Sequence, residues 1–163
     1  MRVIGIDCGY AITGWGVVEK NGNEYKSIDY GDISTSKDMT PEDRLDYIYD
    51  NLSRIIKEYE VEEASVEELF YFKNQKTVIQ VAQSRGIILL CCKKNGLEIA
   101  EYTPLQVKQT LTGNGRAEKA QVQKMIKMML GMKEIPKPDD AADGLALAYT
   151  HLLHSRLSRK LKV

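Results

Sequence analysis

The chain has 163 residues, with 23 Lys and Arg against 23 Asp and Glu and a formal net charge of zero. That length fits one domain able to bury roughly 68–70% of its unfolded surface, so folding requires neither a disulfide nor a structural metal. Cys8, Cys91 and Cys92 match no zinc spacing and read as reduced thiols, no apolar run reaches the length of a membrane span, and no signal peptide is legible at the start, so the expected location is the cytoplasm.

Arg2 to Ile6 reads as a short buried strand. Thr13 to Glu19 and Tyr25 to Ile33 follow, joined by Asn21-Gly22-Asn23, and an Asn-Gly pair between two strand-like runs is a strong hairpin signal. Thr40-Pro41-Glu42-Asp43 then opens a helix, with Thr40 as cap and Pro41 in the first helical position. Its apolar stripe is Leu45, Ile48, Leu52, Ile55, Ile56 and Tyr59. Glu62 to Glu67 is a fourth strand. Asn74 to Lys94 is a long helix, apolar nearly all round, which predicts burial by the sheet on one side and by a partner subunit on the other. Gly86 in its interior costs about 1 kcal/mol against alanine and suggests a close backbone approach.

Leu97 to Tyr102 is a fifth strand, Ala117 to Leu130 a helix stopped by Gly131, and Asp139 to His154 the last helix. Three strands, helix, strand, helix, strand and two helices predict an α/β fold: a mixed five-stranded sheet, three antiparallel N-terminal strands followed by parallel ones, with helices on both faces. Residues 1–155 form the domain and 156–163 a basic tail expected to be disordered. His151 and His154 read as structural or surface residues.

Charge is segregated along the chain. Asp38 to Glu68 contains eleven acids and three bases, whereas Leu69 to Lys133 contains eleven bases and three acids. A neutral protein can therefore carry a basic face suited to a polyanion.

Four acids stand next to apolar segments, where carboxylates need compensation by something cationic. Asp7 ends the first strand in Gly5-Ile6-Asp7-Cys8-Gly9, Glu67 ends the fourth, and Asp140 and Asp143 head the last helix. Each has a plainer reading: Asp7 can cap a turn, and acids belong in a first helical turn. Glu67 and Glu68 point to opposite faces of a strand, so only one faces a shared site, and Glu67 is preferred. Asp140 and Asp143, three apart, share a helix face, and Ala141, Ala142 and Gly144 leave little bulk around them. Converging, these hard oxygens would suit Mg²⁺ or Mn²⁺ and phosphodiester cleavage. Lys108 and Lys119, expected to flank a loop from Thr110 to Gly115, read either as phosphate contacts or as solvated lysines.

The ordered set Gly5-Ile6-Asp7-x-Gly9, Thr13-Gly14-x-Gly16, Val66-Glu67-x-x-Phe70, Ala82-Gln83-Ser84-Arg85-Gly86, Gln106-Val107-Lys108-Gln109, Gly115-x-Ala117-x-Lys119 and Asp140-Ala141-Ala142-Asp143-x-Leu145-Ala146 resembles the RuvC family of Holliday-junction resolvases over nearly the whole chain. Cys8 and Tyr10 depart from the family pattern without removing an acid. The resemblance implies a ribonuclease-H-like fold, and Asp7, Glu67, Asp140 and Asp143 as catalytic acids that bind metal, two Mg²⁺ per subunit with Mn²⁺ able to substitute. It implies four-way junction DNA as substrate, a homodimer, and the branch-migration complex of the same pathway as partner. It places Lys108 and Lys119 near the cut phosphate and Phe70 at the branch point; Lys76, Arg85 and Arg116 are further expected DNA contacts. Two other readings share parts of the pattern: a ribonuclease-H-like nuclease acting on RNA or other branched DNA, and an ATP-binding domain of the actin and sugar-kinase superfamily. The latter opens with a similar hairpin but needs a second domain and an adenosine-binding glycine motif.

Overall fold

The structure is a computed structural model and describes residues 1–68 and 77–160. Its strands are β1 (Arg2–Asp7), β2 (Ile12–Asn21), β3 (Glu24–Ser34), β4 (Glu63–Glu67) and β5 (Glu98–Tyr102). Its helices are α1 (Pro41–Glu58), α2 (Val78–Lys94), α3 (Pro104–Thr112), α4 (Lys119–Met129) and α5 (Asp139–Lys160). The sheet order is β3-β2-β1-β4-β5, with β1, β2 and β3 antiparallel and β1, β4 and β5 parallel. This is the mixed sheet expected from the sequence. Gly22, with φ of +59°, makes the hairpin turn, and the Thr40 side chain caps α1 by accepting from the Asp43 N–H.

Two differences from the sequence reading have clear causes. Three helices follow β5, because Thr103-Pro104-Leu105-Gln106 starts α3 with a reciprocal capping box and Pro in the first turn. Lys108 therefore sits on a helix, and the connecting loop begins only at Gly113. The last helix runs as far as Lys160, past the boundary expected at residue 155, because nothing in Ser155 to Lys160 breaks a helix.

Strand alternation divides the core. Ile4, Ile6, Val17, Ala64 and Val66 face α1 and α2, where Ile48, Leu52, Ile88 and Cys92 complete one cluster. Val3 and Val18 face the other side, with Tyr102, Leu111, Ile126, Leu145 and Leu152. On that second side Gly5, Gly14 and Gly16 form a seat for α5. A Cβ on Gly5 would overlap the Gly144 carbonyl oxygen, and one on Gly14 the Asp140 carbonyl oxygen. Gly144 is the reciprocal contact: its Cβ would lie 2.6 Å from the Trp15 carbonyl carbon. Helix and strands thus meet backbone to backbone. Among the described residues no helix is long and apolar enough to cross a membrane.

Overpacking of a filled interface costs roughly 1–3 kcal/mol. Gly144→Ala should therefore lower the melting temperature by several degrees. Differential scanning calorimetry tests this; an unchanged midpoint would mean that the seat is looser than described.

Candidate active site

Asp7 and Glu67 are the last residues of neighbouring parallel strands. The register pairs Ile6 with Val66, so the two acids leave the sheet at the same level. Both alternate with residues that face α5: Gly5 packs against it, and Ser65 donates to the Leu147 carbonyl at 2.9 Å. Glu68, one residue further, falls on the opposite side of the chain. The Asp7 partner on β2 is Gly14, on which the Asp140 backbone rests. The glycine seat therefore brings the start of α5, with Asp140 in its first turn and Asp143 in its second, over the ends of β1 and β4.

The electrostatics record this convergence. Burial raises the Asp7 carboxyl to about 8, reinforced by Glu67, a hydrogen bond shared with Glu67, and the charges of Asp143 and Asp140. Burial also raises Glu67, although its bond with Asp7 opposes the rise. Asp143 is raised first by burial, against which Lys119 works in the other direction. Lys119 Nζ lies 2.8 Å from Asp143 Oδ2 and 3.9 Å from Asp139 Oδ2. Burial alone would lower this ammonium, but Asp143 more than reverses that and holds it above its ordinary value.

Among the described residues no three His, Cys, Asp or Glu side chains close into a finished metal cage. The acids converge without closing, and Lys119 supplies part of the missing positive charge. Were all four carboxyls ionised, the ammoniums of Lys108 and Lys119 would offset only two of the four charges. Hard oxygen donors with surplus negative charge fit a hard divalent cation. The adjoining cleft is lined by Glu67, Val107, Lys108, Lys119, Val122 and Asp143 and encloses about 180 Å³, room for about six waters.

The remaining expected residues fall out differently. Arg116 is exposed on the α3–α4 loop. That loop is held by Gln109, whose amide donates to the Gly113 carbonyl and whose oxygen accepts from the Gly115 N–H. Arg85, expected to contact DNA, is engaged inside the protein: Nε donates to the Glu67 carbonyl at 3.3 Å, and Nη2 lies 2.6 Å from Glu101 Oε2. Phe70 and Lys76 lie outside the described residues. Around Gly86 no described atom comes within 4 Å of an added Cβ, so the suspected close approach does not occur among the described residues. His151 bridges Glu63 at 2.6 Å and the Tyr102 hydroxyl at 2.9 Å, at the end of β4 away from the acids.

Residues 3–151 match the family of crossover junction endodeoxyribonuclease RuvC. The chain belongs to the RuvC family. Its relatives in that family include crossover junction endodeoxyribonuclease RuvC of Fusobacterium nucleatum, 54% identical over 97% of this chain and 84% of the relative. The RuvC of Caldicellulosiruptor saccharolyticus is also 54% identical, over 95% of this chain and 94% of the relative. Among solved structures, Thermus thermophilus RuvC in complex with Holliday junction substrate superposes with a TM-score of 0.87 at 30% identity, covering 96% of both chains. The sheet and helices described above are thus the ribonuclease-H-like fold of RuvC, and the chain is a nuclease.

The raised carboxyls set the pH dependence of stability without divalent cations. A carboxyl with a raised folded pKa binds more protons folded than unfolded, so its contribution is greatest at low pH and is lost as pH climbs from about 4 towards 8. In chelator, Asp7→Asn should melt above the parent at pH 8, and the gap should shrink at pH 5. An equal gap at both values would contradict a protonated, buried Asp7.

Proposed function

We propose that this chain resolves four-way (Holliday) junctions by paired symmetric nicks, hydrolysing phosphodiesters with two divalent cations per subunit, Mg²⁺ first and Mn²⁺ as a substitute. The observation that carries the reading is the meeting of Asp7, Glu67, Asp140 and Asp143 at one strand end with negative charge in excess, in a member of the RuvC family. The solved RuvC relative holding a Holliday junction supports the choice of substrate.

In this reading the four acids hold the cations, and none attacks phosphorus. Bound there, divalent cations would supply the charge stabilisation and Lewis acidity for in-line attack of water, with a 5′ phosphate and a 3′ hydroxyl as products. Lys119, already drawn into the cluster by Asp143, offsets charge on the phosphate as DNA enters. Lys108 lines the same cleft and contacts the adjacent backbone. Arg116 meets a flanking phosphate from its exposed loop, and Lys76 serves the DNA arms. Phe70, close after Glu67 in the chain, stacks on a base opened at the branch point. Because lysines and arginine carry the binding, log affinity falls with log salt.

Two symmetric nicks call for two identical sites, which a closed two-fold dimer supplies. The outer face of α2 suits that contact. Ile79 is 70% exposed and Leu90 46% exposed, and Ala82 and Gly86 lie between them at helical spacing. With no side chain, Gly86 lets a second helix approach closely. The branch-migration complex of the same pathway completes the reading, bringing the branch point to the cutting sites.

Asp7→Asn should bind a synthetic four-way junction with an affinity close to that of the parent, yet cut it at least a hundredfold more slowly in Mg²⁺, as resolved on sequencing gels. Undiminished cutting would remove Asp7 from the chemistry. Leu90→Glu should shift the protein to monomer in sedimentation velocity and replace paired nicks by single ones; a dimer that still nicks in pairs would place the interface elsewhere.

A further inference from the structure

The inward face of α2 carries two consecutive polar residues, and each ends on a backbone carbonyl beside one of the two strand-end acids. Ser84, fully buried, donates from Oγ to the Gly9 carbonyl at 2.7 Å. The same carbonyl accepts from the hydroxyl of Thr13, also fully buried, at 2.9 Å. Gly9 lies two residues beyond Asp7, past the end of β1. Arg85 is the next residue along α2, and its side chain is 17% exposed. It donates through Nε to the carbonyl of Glu67, the last residue of β4, while Nη2 pairs with Glu101 on β5. One turn of a helix on the far side of the sheet from α5 therefore pins the backbone at both strand ends.

These contacts matter because of what the two ends carry. Asp7 and Glu67 are two carboxyls brought together by the strand register, so their separation depends on how firmly the two strand ends are held. The β1–β4 ladder pairs residues only as far as Ile6 and Val66, so it does not extend to the acids themselves. Asp7 and Glu67 are still paired on their outer sides, with Gly14 and Tyr102, but between the two ends Ser84 and Arg85 supply the ties that the β1–β4 ladder no longer does. Removing the Arg85 side chain would leave the Glu67 carbonyl without that donor and Glu101 without its cation. Removing the Ser84 hydroxyl would take one of the two buried donors from the Gly9 carbonyl.

We propose that Ser84 and Arg85 are positioning residues that set the spacing of the Asp7 and Glu67 carboxylates, and with it the affinity of the site for divalent cations. The inference rests on the reading of Asp7 and Glu67 as cation ligands. Neither residue touches DNA in this account, and Arg85 acts through Glu67. When the pins are lost, the acids spend only part of their time at the working separation, and apparent cation affinity falls in proportion to that fraction.

The test uses the full chain and Mn²⁺ as probe, with binding followed by electron paramagnetic resonance in the absence of DNA. Ser84→Ala, Arg85→Ala and Arg85→Lys should each weaken Mn²⁺ binding, by about tenfold for the arginine changes. Cutting of a four-way junction should require correspondingly more Mg²⁺ and recover towards the parent rate at saturation. Junction affinity in chelator, and its salt dependence, should not change. Arg85→Lys keeps the positive charge but not the two-pronged reach, so it separates positioning from charge and serves if Arg85→Ala does not fold. Parent-like Mn²⁺ binding by folded Arg85→Lys and Ser84→Ala overturns the proposal. So does a salt slope reduced by about one for Arg85→Ala, which would make Arg85 a phosphate contact. Asp7→Asn is the control on the underlying reading: if it binds Mn²⁺ as the parent does, the cation assignment itself fails, whereas loss in Asp7→Asn with no loss in the α2 variants sinks only the positioning role.

Discussion

The closeness of α5 to the β1–β2 ribbon is the constraint on which the acid cluster depends. Ordinary helix–sheet packing is mediated by side chains, which hold the two backbones apart. Here Gly5, Gly14 and Gly16 on the strands and Gly144 on the helix remove that spacer at the end of the sheet where Asp7 emerges. Only at this distance do the first two turns of α5 set Asp140 and Asp143 over the ends of β1 and β4. Ala141, Ala142, Ala146 and Ala148, all buried, continue the close approach along the helix. A chain with the same four acids but ordinary residues at the seat would keep its sheet and lose the cluster.

That closeness is electrostatically unfavourable on its own. Asp7, Glu67 and Asp143 are each raised first by burial, so the metal-free fold carries groups that work against it near neutral pH. The surrounding structure absorbs this in separate ways: a proton shared between Asp7 and Glu67, the ammonium of Lys119, and a hydrophobic core on each face of the sheet. Local strain of this kind, sustained by a robust scaffold, is common where a site is prepared for a charged ligand. Cys8 shares the environment, its thiol pushed up by burial and by Asp7, which keeps it protonated and unreactive beside the site.

Much of this was legible in the residues, and the exceptions share a cause. The hairpin and the α1 cap followed from local turn and capping chemistry, the mixed antiparallel-then-parallel sheet from the order of elements, and the two-residue period of a strand showed that Glu67 and Glu68 cannot share a face. Helix α3 was missed because its nine residues offer only Val107 and Leu111 as buried apolar positions, too few for a periodic signal; the Thr103–Gln106 capping box was the available clue. Counting bases along a segment could not show the ion pair of Arg85 with Glu101, sixteen positions away and brought alongside by β5. In each case the deciding partner lies far away in sequence or has too weak a pattern to announce itself. Nothing in the sequence alone could have revealed that Ser84 and Arg85 reach the backbone of both strand ends.

The acids are spread over almost the entire chain, Asp7 near one end and Asp143 near the other, and they meet through contacts such as Gly5 with Gly144. Assembly of the cluster therefore depends on contacts among the most distant in the sequence, the kind that slows folding. During synthesis the sheet and its first helices can take shape while α5 is still unmade. A polypeptide interrupted anywhere before Asp140 has at most two of the four acids and no helix to seat on the glycines. The four-acid cluster thus exists only in copies of the chain that extend past Asp143.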